Sequence, residues 1–181
     1  MAKKILQKND PVLRQVAESV PLDEIKTAKI QKILQEMKDA LLSQDDGVAI
    51  AAPQIGYPLR IFVVSRKVKK LAKGEEPSVD DIGEDEIYIN PVIKKLSKDK
   101  KMMEEGCLSV RYLYGKVNRS SKATVEAYDE NGIKFQRGGT GLIAQIFQHE
   151  TDHLDGTLFI DKAVNVEEII PENNLTSNER N

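Results

Sequence analysis

The chain has 181 residues, a length that suits one domain with its own hydrophobic core. It is 40% hydrophobic and 31% charged with a formal net charge of -2, so no overall positive charge favours nucleic-acid binding. No stretch has the apolar length of a membrane span, and residues 1–10 lack the apolar run of a secretory signal. A single cysteine, Cys107, excludes an internal disulfide. We therefore expect a cytoplasmic protein that binds neither membranes nor specific nucleic-acid sequences.

The first half of the chain predicts a helix, a strand and a surface insertion. Hydrophobic residues recur at helical spacing over residues 25–44, and a strand is predicted at 60–64. Between them, residues 47–56 are small and nearly uncharged. Small side chains let the backbone approach either another strand or a ligand, and composition favours neither. Residues 66–86 are charged and contain glycine and proline, which predicts an insertion on the surface.

The second half predicts strands and a second helix. A strand is expected at 87–93, with a break or an edge at Asn90-Pro91. A hairpin is expected over 123–135, and Gly138-Gly139 would close it. The second helix begins at Leu142 and ends at Gly156, and residues 166–181 form a polar, disordered tail. The sequence thus predicts one α+β domain over residues 1–165, with short, mostly antiparallel strands around the second helix and another helix near the N-terminus.

The second helix carries the strongest chemical signal, the run His149-Glu150-Thr151-Asp152-His153. Residues four apart share one face of a helix, so both imidazoles can bind one metal ion. Glu150 lies one step round the helix, where its carboxylate can contact a water molecule. These are the only two histidines in the chain.

A catalytic metal site of this kind needs a third protein ligand and keeps one position open for water. Cys107 is one candidate, because a thiolate binds divalent ions strongly and Gly106 allows close backbone approach. Glu167 or Glu168 is the other, as in a metallopeptidase of the zincin type. The spacing of the residues leaves both possibilities open.

Three segments taken together resemble the motifs of peptide deformylases. They are residues 47–54 (Gly-Val-Ala-Ile-Ala-Ala-Pro-Gln), 105–109 (Glu-Gly-Cys-Leu-Ser) and 148–156 (Gln-His-Glu-Thr-Asp-His-Leu-Asp-Gly), in the order of that family. The similarity runs from about residue 10 to 162, apart from 66–86. The resemblance implies a catalytic domain that removes the formyl group from the N-terminal methionine of nascent polypeptides and releases formate.

The resemblance also implies a mechanism and a metal. Cys107, His149 and His153 would hold the ion, whose bound hydroxide attacks the formyl carbon. Glu150 would act as general acid and base, delivering the proton of the water to the leaving amine. The family favours iron(II) in the cell, and zinc, nickel or cobalt suit the same ligands.

Further roles follow from the same resemblance. The side-chain amide of Gln54 and the backbone N–H of Leu108 would form an oxyanion hole. Glu105 would pair with Arg119 and brace the cysteine loop, and Gln148 would support the centre. The role of Asp152 stays open. The residues expected to bind substrate are Gly47, Val48, Ala49, Gly106 and Tyr114.

Two positions depart from the family pattern. Ala49 stands where the family usually has glycine, so its methyl group would narrow the cleft or exclude a positive φ. Arg111 follows Ser109-Val110 where many relatives carry proline, which would change the pocket beyond the methionine. These departures are the support for an alternative, a binding or regulatory module without catalysis.

The expected partners are nascent formyl-methionine peptides and the ribosome that presents them. Residues 166–181 contain Glu167, Glu168, Glu172 and Glu179 but only one basic residue, Arg180. A tail of this charge does not favour tight docking on ribosomal RNA. We therefore expect only transient encounters with the ribosome.

Overall fold

The computed structural model describes residues 2–76 and 83–171 and consists of two antiparallel sheets and their helices. One sheet has the strand order β1-β2-β3-β6-β7, and the other has the order β4-β5-β8. The strands are β1 (Ala49–Ala51), β2 (Ile61–Val64), β3 (Glu86–Leu96), β4 (Lys100–Gly106), β5 (Leu113–Ser120), β6 (Lys122–Tyr128), β7 (Lys134–Thr140) and β8 (Val164–Glu168). The helices are α1 (Ala28–Leu42), α2 (Val68–Leu71) and α3 (Leu142–Leu154).

The helix predicted at residues 25–44 is confirmed as α1, with narrower bounds. The hydroxyl of Thr27 accepts a hydrogen bond from the Ile30 N–H, so this side chain caps the helix and sets its first turn. The predicted second helix is α3, and it begins directly after Gly141, whose φ is +54°. It packs against β1, β3, β6 and β7 of one sheet and against β5 of the other, which confirms its central position.

Strand β2 shows how the larger sheet separates the two long helices. Its successive side chains point to opposite faces because the side-chain period of a strand is two residues. Ile61 and Val63 pack in the cluster that contains α1, whereas Phe62 and Val64 pack in the cluster that contains α3. All four residues are buried. The alternation of side chains therefore builds two hydrophobic layers, one on each face of the sheet.

An aromatic group fixes α3 against this sheet. The rings of Phe62 and Tyr88 stack with centroids 4.5 Å apart, and Phe147 of α3 lies 5.4 Å from Tyr88 and 6.4 Å from Phe62. Phe147 is 1% exposed. Because residues 147 and 149 are about 200° apart around a helix, packing Phe147 into the sheet turns His149 towards the other side. The core therefore sets which face of α3 is open to a ligand.

Strand β3 runs through the predicted break at Asn90-Pro91. Asn90 adopts a φ of 50°, and the pairing of β3 with β6 shifts register between Ile89 and Val92. The side chain of Asn90 accepts a hydrogen bond from the Val20 N–H and donates one to the Val20 carbonyl. These contacts hold a bulge in place, so the strand continues to Leu96.

Strands β1, β4, β5 and β8 were not predicted, and the tail differs from its prediction. Residues 166–168 belong to β8, which pairs with β5, so the expectation of disorder is wrong there. Every side chain of β8 is exposed, so the strand is held by backbone hydrogen bonds. Such a strand needs no alternation of buried and exposed residues, and its sequence therefore shows no hydrophobic pattern. Residues 172–181 of the tail lie outside the described residues. Gly138 and Gly139 lie inside β7 and do not end the hairpin.

The predicted insertion at residues 66–86 contains α2 and the first residue of β3, and residues 77–82 of it lie outside the described residues. Val68 of α2 is buried, so this part of the segment is attached to the core. In residues 2–76 and 83–171 no helix is both long and apolar enough to cross a bilayer.

Gly156 follows the end of α3 and packs closely against the backbone of Arg14. Its φ is +71°, and a Cβ there would lie 2.7 Å from the carbonyl oxygen of Arg14. We expect Gly156→Ala to lower the free energy of unfolding in urea by about 2–3 kcal/mol, since strain and steric overlap add. Gly74→Ala is the matched control, because Gly74 has a φ of +74° and a Cβ there would meet no atom of the described residues within 4 Å. Equal losses in the two variants would show that the contact with Arg14 is unimportant.

Candidate metal centre

Three side chains converge on one point beside α3. The ring centroids of His149 and His153 are 5.0 Å apart, as their spacing of four residues predicts. Cys107 Sγ lies 3.2 Å from His153 Nε2, and one potential ligand atom from each of the three residues lies within 4.8 Å of the others. Two imidazole nitrogens and a thiolate suit zinc, iron(II), nickel or cobalt better than magnesium or calcium. The side chains therefore fit a divalent transition-metal ion.

Glu167 and Glu168 do not belong to this group of ligand atoms. Both are exposed on β8, where Glu167 pairs with Tyr114 across the strands. The ligand set found among the described residues includes Cys107 and neither of these glutamates. The geometry thus favours the cysteine over the zincin-type alternative.

The loop that carries Cys107 is held by close packing and by hydrogen bonds. A Cβ on Gly106 would lie 2.7 Å from the Tyr114 ring, so a larger residue at this position would displace that ring. The Ser109 N–H donates to Cys107 Sγ at 3.4 Å, and Gln54 Nε2 lies 3.6 Å from the same sulfur. Close packing and these two hydrogen bonds therefore fix the position of the sulfur.

Gln54 is buried between the two sheets and has a fixed orientation. Its Oε1 accepts a hydrogen bond from the Ala51 N–H at 2.8 Å, and its Nε2 donates to Ser109 Oγ at 3.0 Å. Only 2% of the residue is exposed. The first bond determines which end of the amide faces the centre, so the NH₂ group points towards Cys107.

A chain of charged groups orients His149 from behind. Glu105 Oε2 lies 2.9 Å from His149 Nδ1, and the Glu105 carboxylate accepts two hydrogen bonds from Arg119, at 2.7 and 3.0 Å. Arg119 also donates to Asp152, which accepts a further bond from Lys162. Because Nδ1 is occupied by Glu105, Nε2 of His149 is the nitrogen free to bind a metal.

This network explains three of the predicted residues. The pairing of Glu105 with Arg119 is confirmed, and Asp152 contacts Arg119 and Lys162 rather than either histidine. Although burial opposes its charge, the hydrogen bonds from His149 and Arg119 lower the pKa of Glu105 to about 2. The carboxylate is therefore ionised throughout the physiological range of pH.

Gln148 serves α3 rather than the metal site. Its Nε2 donates to the carbonyls of Ser120 and Ala144, and its Oε1 accepts from the Ser120 N–H at 3.0 Å. Ser120 ends β5, so this side chain ties the helix to the smaller sheet. Its support of the centre is indirect.

Glu150 occupies an environment unlike that of Glu105. It is 4% exposed, and its Oε2 has no hydrogen-bond partner among the residues that the structure describes. Burial raises the pKa of the Glu150 carboxyl to about 7. A carboxyl group with such a pKa can both accept and donate a proton near neutral pH.

A cleft of about 320 Å³ opens over His149 and Glu150. One wall is the start of β1, an edge strand of the larger sheet, and the other is the loop around Cys107. All five residues predicted to bind substrate line this cleft: Gly47, Val48, Ala49, Gly106 and Tyr114.

Some lining residues were missed from the sequence. Leu142, Gln145 and Ile146 precede His149 by seven, four and three residues, so they share its side of the helix. That spacing was available in the sequence and could have identified them. Val110 and Tyr112 come from the loop that follows Cys107, and Leu113 is the first residue of β5 after that loop, for which no periodicity exists.

Ala49 fits the fold without strain. It pairs with Val64 in β1, and its φ is not among the positive values of the described residues. The residue is 6% exposed and packs in the cluster that contains α3. The backbone at this position therefore does not require glycine.

A helix-borne His-Glu-x-x-His pair, completed by a cysteine from the loop after β4, is typical of a metal-dependent hydrolase. The sequence profile of the polypeptide deformylase family matches residues 2–168. The chain belongs to this family.

Individual relatives agree with this assignment. The chain is 37% identical over 164 residues to "Peptide deformylase 1A, chloroplastic" of Solanum lycopersicum, covering 87% of the chain and 58% of that relative. It is 39% identical over 160 residues to peptide deformylase 2 of Clostridium acetobutylicum, covering 88% and 93%. The chain thus spans less than two thirds of the tomato protein but nearly all of the clostridial one.

Solved structures show the same architecture. The peptide deformylase of Synechococcus elongatus in complex with actinonin superposes with a TM-score of 0.78 at 31% identity, covering 90% of this chain and 81% of that one. The enzyme from Legionella pneumophila gives a TM-score of 0.76 at 36% identity, covering 91% and 88%. The α+β fold predicted from the sequence is confirmed.

Arg119 offers a test of the charged network. Arg119→Ala leaves the Glu105 charge buried without its main partner, so we expect the free energy of unfolding to fall by about 3–5 kcal/mol. The affinity for a divalent metal should fall about 10- to 100-fold, because His149 loses its fixed orientation. Urea unfolding and metal titration measure the two effects. Lys162→Ala removes an exposed partner of Asp152 and should change stability by less than about 1 kcal/mol. Equal effects of the two variants would contradict the importance of the buried pair.

Proposed function

We propose that this protein removes the N-formyl group from the N-terminal formyl-methionine of nascent polypeptides and releases formate. The observation that carries the proposal is the convergence of Cys107, His149 and His153 on one point, at a cleft that His149 and Glu150 line. Membership of the polypeptide deformylase family supports the same reaction.

In this proposal Cys107, His149 and His153 hold one divalent ion, iron(II) in the cell, and zinc, nickel or cobalt also suit the donor set. When bound, such an ion supplies Lewis-acid chemistry, which acidifies a water molecule and polarises the formyl carbonyl. The contact of Glu105 with His149 supports this assignment, because it keeps one imidazole nitrogen directed at the shared point.

The substrate would bind as an extended peptide along the start of β1. This strand lies at the edge of its sheet, so part of its backbone is free to pair with another chain. Gly47, Val48 and Ala49 line the cleft on this side, and Gly106 and Tyr114 face them. Such pairing uses backbone groups and therefore suits an enzyme that must accept many N-terminal sequences.

Two donors are available for the negative charge that develops on the formyl oxygen. Gln54 presents its NH₂ group beside Cys107, and the N–H of Leu108 directly follows that residue in the chain. The oxygen of Gln54 is already bonded to Ala51, so the amide needs no reorientation during the reaction. Each donor of this kind contributes about 3–4 kcal/mol to stabilisation of the transition state.

Glu150 would transfer the proton. It takes the proton of the attacking water, and as the C–N bond breaks it delivers that proton to the leaving amine. Its buried position and its raised pKa support this exchange, because both protonation states are accessible near neutral pH. The products are formate and a free N-terminal methionine.

In this proposal the substrates are nascent chains, so the protein acts in the cytoplasm near translating ribosomes. The acidic composition of residues 166–181 supports transient encounters over tight docking. Loss of ribosome cosedimentation on deletion of this segment would contradict transient binding.

Glu150→Ala tests the proton transfer. With the same metal content as the wild type, this variant should release formate from formyl-Met-Ala-Ser about 10²- to 10⁴-fold more slowly, because general acid–base catalysis is lost. Anaerobic purification and a parallel metal assay keep the comparison valid. Glu167→Ala is the control, since Glu167 is exposed on β8 and should change neither quantity. A fully active Glu150→Ala protein would overturn the assignment.

Cys107→Ala tests the ligand set. We expect this variant to lose its metal and its activity together, because two imidazoles alone leave the site without its thiolate. The variant should be purified beside the wild type and assayed for bound metal and for formate. Retention of metal, together with its loss in Glu167→Ala or Glu168→Ala, would favour a zincin-type site.

The wild-type protein provides the decisive measurement. Metal-loaded protein that releases formate from formyl-Met-Ala-Ser would establish deformylation. Metal-loaded protein that releases none from any formyl-methionine peptide would identify a binding module that kept the fold without catalysis.

A further inference from the structure

Arg111 joins the two walls of the cleft, and the proposed reaction does not use it. Its guanidinium donates two hydrogen bonds to the carboxylate of Asp46, one of them 2.9 Å long, and a third to Gln44 Oε1 at 3.0 Å. Arg111 belongs to the loop after Cys107, whereas Gln44 and Asp46 directly precede the start of β1. We call these three residues the Arg111 clasp.

Each end of the Arg111 clasp is attached to a fixed part of the fold. The Arg111 N–H donates to Gln7 Oε1 at 3.3 Å, and Gln7 Nε2 donates to the Leu108 carbonyl at 3.0 Å. At the other end, the Gln44 N–H donates to the carbonyl of Leu41, in the last turn of α1, at 3.1 Å. The loop and the strand entry are therefore both anchored, and the ion pair spans the space between them.

We propose that Arg111 is a positioning residue that holds the start of β1 at a set distance from the loop of Cys107. This role rests on the proposed function, because a peptide that binds along β1 needs that edge in place. When this edge is already ordered, binding of the peptide does not cost the entropy of ordering it. The effect is therefore on affinity for the peptide and not on the rate of the chemical step. Arg111 is thus a positioning residue and not a catalytic one.

The exposure of the pair sets the size of the effect. The side chain of Arg111 is 23% exposed and that of Asp46 is 57% exposed, so solvent weakens their attraction. We therefore expect Arg111→Ala to raise KM for formyl-Met-Ala-Ser about threefold to fivefold, while kcat changes less than about twofold. Metal content should equal that of the wild type, because no ligand contacts Arg111.

Amide hydrogen exchange provides a readout that does not depend on activity. Loss of the Arg111 clasp should accelerate exchange at residues 46–49 by about threefold to fivefold, since the ion pair no longer restrains this segment. Asp46→Asn should have a similar effect. The double variant should be no worse than Arg111→Ala alone, because both changes remove the same contact. Arg111→Lys should be intermediate, since lysine cannot form the two parallel bonds.

Arg14→Ala is the matched control. Arg14 and Asp161 form another partly exposed pair with two hydrogen bonds, and neither residue lines the cleft. This variant should change neither KM nor exchange at residues 46–49. An equal change in Arg14→Ala would mean a general loss of stability and would overturn the proposal.

The outcomes separate the Arg111 clasp from the reaction. If the wild type releases formate but Arg111→Ala leaves KM and exchange unchanged, the positioning role of Arg111 is refuted and the proposed function stands. If the metal-loaded wild type releases no formate, the proposed function fails. Unchanged exchange at residues 46–49 in Arg111→Ala would then still refute the positioning role of Arg111. Additive effects of Arg111→Ala and Asp46→Asn would contradict a shared contact.

Discussion

The buried carboxylate of Glu105 joins the parts of the centre that come from different elements. It lies at the end of β4 and contacts Arg119 of β5 and His149 of α3. A carboxylate with 5% exposure is stable there only because a guanidinium and an imidazole replace its water. The same contacts position Cys107, two residues further along the chain. A candidate metal centre assembled from the smaller sheet and a helix therefore depends on one satisfied buried charge.

The two glutamates of the centre differ in pKa because their surroundings differ. Glu105 has charged partners and remains ionised. Glu150 is buried, one of its oxygens has no partner in the described part of the chain, and burial raises its pKa to about 7. Environments that separate the pKa values of two carboxyl groups are common where one orients and the other transfers protons. The core maintains this difference, because Phe147 fixes the rotation of α3 and hence the surroundings of Glu150.

The cleft lies where the edge of the larger sheet meets a loop of the smaller one. The backbone of an edge strand can pair with another chain. On an open surface such pairing leads to aggregation, whereas inside a cleft it allows an extended peptide to be recognised. The segment before β1 is not itself part of a sheet. The Arg111 clasp links this segment to the opposite wall, from a position where the family resemblance leads one to expect proline.

The sequence by itself determined the local features of this protein. His149 and His153 are four residues apart, so the period of a helix places them on one face. Hydrophobic patterns and turn residues likewise predict β2, β3 and the β6–β7 hairpin. Tertiary structure alone decided what depends on contacts between distant residues. Cys107 reaches the histidines across 42 or more positions, and β8 pairs through its backbone with exposed side chains that carry no pattern. Arg111 meets Asp46 across 65 positions for the same reason. Local periodicity reports which face of an element is buried, but it carries no information about which distant surface buries it.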